Sequence, residues 1–180
     1  DRNSEHLSKI IVHPNDPNTV WVASQGPLWS SGGERGLYKT TDGGKTWNNT
    51  LEIDEWTGVT DLLIDPRNPD VLYCASWQRH RNVASYIGGG PGTSIYKSTD
   101  GGDSWTKINK GLPSSNMGKI GLAISPINPD VVYAAVETER RKGAVYRSAN
   151  AGGSWKKMSE TVSAGTCLLY TSDAADDSQC

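Results

Sequence analysis

The chain has 180 residues, a formal net charge of −2 and 35% hydrophobic content, with 20 Gly, 9 Pro, 7 Trp, 7 Tyr and no Phe. This apolar content suffices for a core and contains no membrane-spanning run, while the weak charge, with no Lys/Arg cluster interleaved with aromatics, argues against nucleic acid as a partner. Large apolar area carried by rings with a polar handle, among many Gly and Pro, favours a β-rich and turn-rich fold.

The first predicted element is a strand over residues 7–13, closed by Pro14 and the Asp16-Pro17-Asn18 turn, followed by a strand over 20–24. Proline fixes φ and pushes the preceding residue out of the α region, and Asn or Asp closes the turn through its side chain. The same unit recurs. IIVHPNDPNTVWVA at 10–23 matches LLIDPRNPDVLYCA at 62–75 and LAISPINPDVVYAA at 122–135.

Each unit is followed by a second signature, YKTTDGGKTW at 38–47, YKSTDGGDSW at 96–105 and YRSANAGGSW at 146–155. Strands are predicted over 37–40 and 46–49, with the tight turn between them. Asp42 and Asp100 have the side chain to accept turn N–H groups, and the glycines beside them tolerate positive φ. In the third copy Asn150 replaces Asp and Ala151 replaces the first Gly, so that turn is expected to be kept but weaker. Trp47, Trp105 and Trp155 are expected to bury their rings against these turns. The repeat length, about 50–60 residues with four short strands, divides the chain at 1–50, 51–110 and 111–165.

Thr40, Asp42, Gly44, Thr46 and Trp47 form the pattern Ser/Thr-x-Asp-x-Gly-x-Ser/Thr-Trp, as do Ser98, Asp100, Gly102, Ser104 and Trp105, and, with Asn, Ser148, Asn150, Gly152, Ser154 and Trp155. This pattern resembles the Asp box, or bacterial neuraminidase repeat, of sialidase-type and sortilin-type β-propellers. It is similar to a group of secreted bacterial proteins described as sortilin-like or putative glycosyl hydrolases. The resemblance implies an all-β fold, a β-propeller fragment of three four-stranded blades with strands A to D and an Asp-box turn between C and D. It also implies that Asp42 and Asp100 are structural and lie away from any active site. In a propeller the A–B and C–D turns share one face and the B–C and D–A loops the other, so a ligand is expected on the loop face.

Candidate ligand-binding residues on that face are Trp29 and Arg35 in the first B–C loop and Trp77, Arg79, His80 and Arg81 in the second. His6, Asp54, Glu55 and Trp56 on the D–A connections converge toward them. Aromatic faces beside Arg suit sugar stacking or carboxylate clamping, although Trp29 and Trp77 equally suit stapling long loops to the blades. Asp54 and Glu55 are adjacent, and on an extended segment they point apart, unlike a glycosidase acid–base pair. No catalytic set is identified: neither the arginine triad and tyrosine of sialidases nor the paired aspartates of propeller endoglucanases can be placed.

Gly44-Lys45-Thr46 lacks the rest of a phosphate-binding loop, and Gly88 to Gly92 lack dinucleotide-binding spacing. No zinc or calcium spacing appears, His13 occupies a turn slot held by Asp65 and Ser125 in the other copies, and no cofactor is expected.

The expected function is a secreted, periplasmic or cell-surface scaffold that binds polysaccharide or peptide and packs on further blades. The alternative is a glycoside hydrolase whose catalytic carboxylates lie largely on other blades. Residues 167–177 read CLLYTSDAADD, which is similar to the in-frame translation of a transposase mosaic-end sequencing adapter. Residues 166–180 are therefore set apart from the fold, and with them Cys167 and Cys180, leaving Cys74 as an expected buried thiol. No signal peptide is visible at Asp1. Three blades cannot close a ring, so the first and third are expected to expose one apolar face each.

Overall fold

A computed structural model describes residues 4–138 and 142–162, all of them in strands, turns and loops. The expectations for the tail at 166–180 fall outside these residues. Three antiparallel four-stranded sheets follow one another along the chain. The first holds β1 (Leu7–His13), β2 (Asp16–Ser24), β3 (Gly36–Thr40) and β4 (Asn48–Leu51) in sequence order. The second holds β5 (Thr57–Asp65), β6 (Asn68–Gln78), β9 (Ile95–Ser98) and β10 (Thr106–Lys107). Between β6 and β9 a small hairpin of β7 (His80–Arg81) and β8 (Tyr86–Ile87) decorates the B–C loop. The third sheet holds β11 (Ile120–Ile124), β12 (Val132–Thr138), β13 (Lys142–Ser148) and β14 (Lys156–Val162). These sheets are propeller blades, and their first strands β1, β5 and β11 pack side by side.

Strand A of the first blade spans the predicted residues, but two other boundaries move for physical reasons. Strand B begins at Asp16 and Asn68 in the first two blades, because a residue before proline already favours the extended region. Strand D begins only after the tryptophan. In the first turn Asp42 Oδ1 accepts the N–H groups of Lys45 and Thr46, both at 2.9 Å, and Asp42 Oδ2 accepts the Thr46 hydroxyl at 2.7 Å. These bonds keep residues 45 and 46 in the turn. The Asp100 turn repeats them through Asp103, Ser104 and the Ser98 hydroxyl. Asn150 also holds its turn: Oδ1 accepts from Ser154 N at 2.9 Å, while Nδ2 donates to the Ser154 hydroxyl at 3.1 Å. Ala151 sits there at φ 52°, in the left-handed region that Gly43 and Gly101 occupy at 74° and 69°.

Backbone bonds fix which turns share an end. Gly43 N donates to Asn18 O, Gly101 N to Asp70 O and Ala151 N to Asp130 O, so each C–D turn is tied to its own A–B turn. At the other end Gly32 N donates to Glu55 O, Arg81 N to Leu28 O and Gly90 N to Met117 O, joining B–C loops to neighbouring loops.

The core lies between blades. Trp21, Ala23, Leu37 and Leu51 of the first blade pack on Leu62, Leu72, Cys74 and Tyr96 of the second. The opposite face of the second blade, with Tyr73, Ala75 and Ile95, packs on Ile120, Val132, Ala134 and Trp155 of the third. Alternation along each strand supplies the two faces. Asp61 on β5 links all three blades, accepting Leu122 N at 2.7 Å and pairing with Lys9 Nζ at 3.7 Å.

The expectation that all three turn tryptophans are buried is corrected. Trp155 is 5% exposed, Trp105 is half-buried and Trp47 is 42% exposed. Each ring is covered by the preceding blade: Trp155 Nε1 donates to Ile108 O at 2.7 Å, and Trp105 Nε1 to Thr50 Oγ1 at 3.4 Å. Among the described residues no blade precedes Trp47.

Candidate functional site

The loop face over the first two blades gathers most of the residues singled out in the sequence, in three distinct roles. Arg35 is an internal brace. Its side chain is buried, and its guanidinium donates to the carbonyls of Gly32 (2.8 Å), Gln25 (2.7 Å), Ser30 (2.8 Å), Trp56 (3.4 Å) and Pro27. Burial pulls its pKa down, partly offset by Asp54 and Glu5. A guanidinium whose donors are spent on carbonyls shapes the loop and has little left for a ligand. Arg79 is also buried, with Nη2 on Gly26 O at 3.0 Å and desolvation lowering its pKa. Its Nε, like Nδ1 of His80, is buried without a hydrogen-bond partner.

Asp54 closes a turn: Oδ1 accepts Trp56 N and Oδ2 accepts the Thr57 hydroxyl, both at 2.8 Å. Glu55 is exposed and contributes its carbonyl to Gly32 N. His6, at φ 57°, gives its carbonyl to Gln25 N, with its ring near Glu5. The structure thus gives Asp54 a local structural task in its own turn.

The aromatic residues are placed differently. Trp29 is 61% exposed and carries the Arg81 guanidinium 5.3 Å from its ring centroid. Trp56 meets His80 edge-on at 4.1 Å. Trp77 lies on β6 rather than in the loop. Its Nε1 donates to Gly88 O at 2.9 Å, and Arg79 and Lys119 approach its ring at 5.4 Å and 5.7 Å. Trp77 thus staples the long B–C loop. Lys119 was missed in the sequence, where only its place just before the third blade's strand A could have pointed to it. Tyr86 and Ile87 on β8 are also exposed beside these loops. A rigid scaffold that holds indole rings with flanking cations suits stacking on sugar rings.

Among the described residues no group of three His, Cys, Asp or Glu is arranged to hold a metal, and no helix is long and apolar enough to cross a membrane.

The blades and their paired loop face define a β-propeller architecture. The chain is 26% identical over 159 residues, 79% of its length, to a xyloglucanase from a Paenibacillus species, and covers 14% of that protein. Its fold is similar to the crystal structure of the GH74 xyloglucanase from Xanthomonas campestris, with TM-score 0.62 and 15% identity over 85% of this chain and 21% of the other. It is also similar to YCF48 from Cyanidioschyzon merolae, with TM-score 0.50 and 22% identity over 86% of this chain and 37% of the other. The chain matches no protein-family model. It therefore spans only a small part of the length of the curated relatives it resembles.

Proposed function

We propose that this chain is part of a secreted propeller glycoside hydrolase and that its loop face supplies binding surface for a β-glucan chain of the xyloglucan class. The three turns belong in this reading to the Asp-box type. The observation that carries it is the exposed Trp29 ring beside Arg81, on a protein whose curated relatives include xyloglucanases. These relatives favour a hydrolase over a peptide-binding scaffold. Trp29, Trp56, His80 and Arg81 contact the glycan, whereas Arg35, Arg79 and Trp77 hold the loops that present them. A polymeric glucan does not cross membranes, so the reading places the protein outside the cytoplasm.

Affinity electrophoresis through gels containing xyloglucan tests this directly. The wild-type chain is retarded, and Trp29→Ala weakens retention about fivefold, the loss of about 1 kcal/mol of ring stacking. Equal mobility with and without xyloglucan, or unchanged retention of Trp29→Ala, overturns the reading.

A further inference from the structure

The same two-residue device joins each blade to the next. On strand B of the first blade Trp21 lies beside its cross-strand neighbour Lys39, whose Nζ is 6.0 Å from the ring centroid. Both reach the Asp100 turn of the second blade: Trp21 Nε1 donates to Gly101 O at 3.0 Å and Lys39 Nζ to Asp103 Oδ1 at 2.7 Å. On the second blade Tyr73 and Lys97 are paired in the same way, 5.3 Å apart, and both donate to Ala151 O of the third blade's turn, at 3.2 Å and 2.9 Å. The fit is close. A Cβ on Gly102 would lie 2.7 Å from Trp21 Nε1, and one on Gly152 would lie 3.3 Å from Tyr73 Cε1.

The third blade carries the same device with nothing opposite it among the described residues. Tyr133 is paired with Arg147 across β12 and β13, and its ring is 40% exposed, whereas Trp21 and Tyr73 are buried. At the other edge, the first blade shows the receiving half: the Asp42 turn, with Trp47 and Ile10 exposed where Trp105 is half-buried and Leu62 buried. A second copy presents exactly this turn, but with the wrong charge. Lys45 occupies the position of Asp103, so docking of the first blade on the third would set Lys45 against Arg147.

We propose that the open face of the third blade is a docking surface for a blade whose Asp-type turn bears a carboxylate three residues after its turn Asp, and that the Arg147–Lys45 repulsion disfavours a second copy of this chain there. Tyr133 donates to the turn carbonyl and Arg147 pairs with the carboxylate. Continuity with the two internal interfaces supports a blade turn as the occupant, and the Lys39–Asp103 pair of the first interface together with the charge of Arg147 supports the carboxylate, a position that Gly153 holds at the second interface, where Lys97 donates to Ala151 O instead. Like charges juxtaposed at an interface are a recognised way to reject a wrong partner.

Sedimentation equilibrium of the full chain at low salt tests the proposal, because a charge change turns its own first blade into the required partner. Lys45→Asp tightens self-association about fivefold over wild type, the upper range for an exposed ion pair, and high salt removes the gain. Arg147→Glu, which would meet Lys45, gives the same gain from the other side and serves if the first variant folds poorly. The double variant returns to the wild-type constant. Tight wild-type association that neither change alters, or single variants indistinguishable from a weakly associating wild type, overturns the proposal.

Discussion

The indole Nε1 of Trp21 donates to the carbonyl of Gly101, 3.0 Å away and 80 residues further along the chain. One blade's central strand thus rests on the next blade's turn. The stability of the molecule is therefore expected to reside between blades more than within them, since an isolated sheet buries little on its own.

This ranks the tryptophans. Trp21→Ala and Trp155→Ala are each expected to cost about 3–5 kcal/mol, as buried aromatic truncations do. Trp105→Ala falls between these and Trp47→Ala, which stays within about 1 kcal/mol because its ring is 42% exposed and no blade among the described residues covers it. Urea midpoints at constant m give the order, and equal losses at Trp47 and Trp155 would refute it.

Ala151 offers a gain. Its left-handed φ costs an L-residue about 1–2 kcal/mol, against about 0.4–1 kcal/mol of extra unfolded-chain entropy for glycine. Ala151→Gly is expected to raise stability by roughly 0.5–1 kcal/mol, read by thermal unfolding. A lowered midpoint would mean that the alanine methyl contributes packing that outweighs the strain.

Acid should weaken the turns. Hydrogen bonds from the Thr46 hydroxyl, the Thr46 N–H and the Thr40 hydroxyl hold Asp42 well below the usual carboxylate range, and Ser104 and Ser98 act likewise on Asp100. Because the folded pKa lies below the unfolded one, each carboxylate stabilises the fold above about pH 4, and the contribution is lost as pH falls through the folded value. Asn150 makes the same turn without titrating. The Asp42→Asn, Asp100→Asn double variant should therefore be less stable at pH 7 and show a flatter acid limb. An acid limb parallel to that of wild type would contradict this.

Asp61→Ala is expected to cost about 1–3 kcal/mol, since it leaves the Leu122 N–H without its acceptor where β5 meets β11. Amide exchange at Leu122 should accelerate in the variant more than at Ile64 on β5. Equal protection at both would indicate that another acceptor replaces the carboxylate.

Local chemistry made much of the fold legible. Pro14, Pro66 and Pro126 marked the hairpins, and Asp42 and Asp100 marked the second turns, because both act within a few residues of themselves. Boundaries slipped where side-chain bonds extend a turn, as Asp42 does through Thr46. The site was harder to read because an Arg beside a Trp has the same spelling whether it faces solvent or braces a loop. Arg35 and Arg81 illustrate this: the first is consumed by carbonyls from two loops, and the second lies over an exposed ring. The exposure of Trp47 could not be inferred from its motif, since the cover of its counterparts Trp105 and Trp155 comes from the preceding blade.

The most direct test of the loop-face assignment is to follow indole Nε1–H resonances in 1H–15N correlation spectra while titrating xyloglucan oligosaccharide. Trp29 and Trp56 should shift in a saturable manner, while Trp21, whose Nε1–H is bonded to Gly101 O in the turn at the opposite end, and Trp155, whose Nε1–H is bonded to Ile108 O between two blades, stay fixed. Shifts confined to Trp21, Trp47 or Trp155, or no shift at any indole, would contradict the assignment.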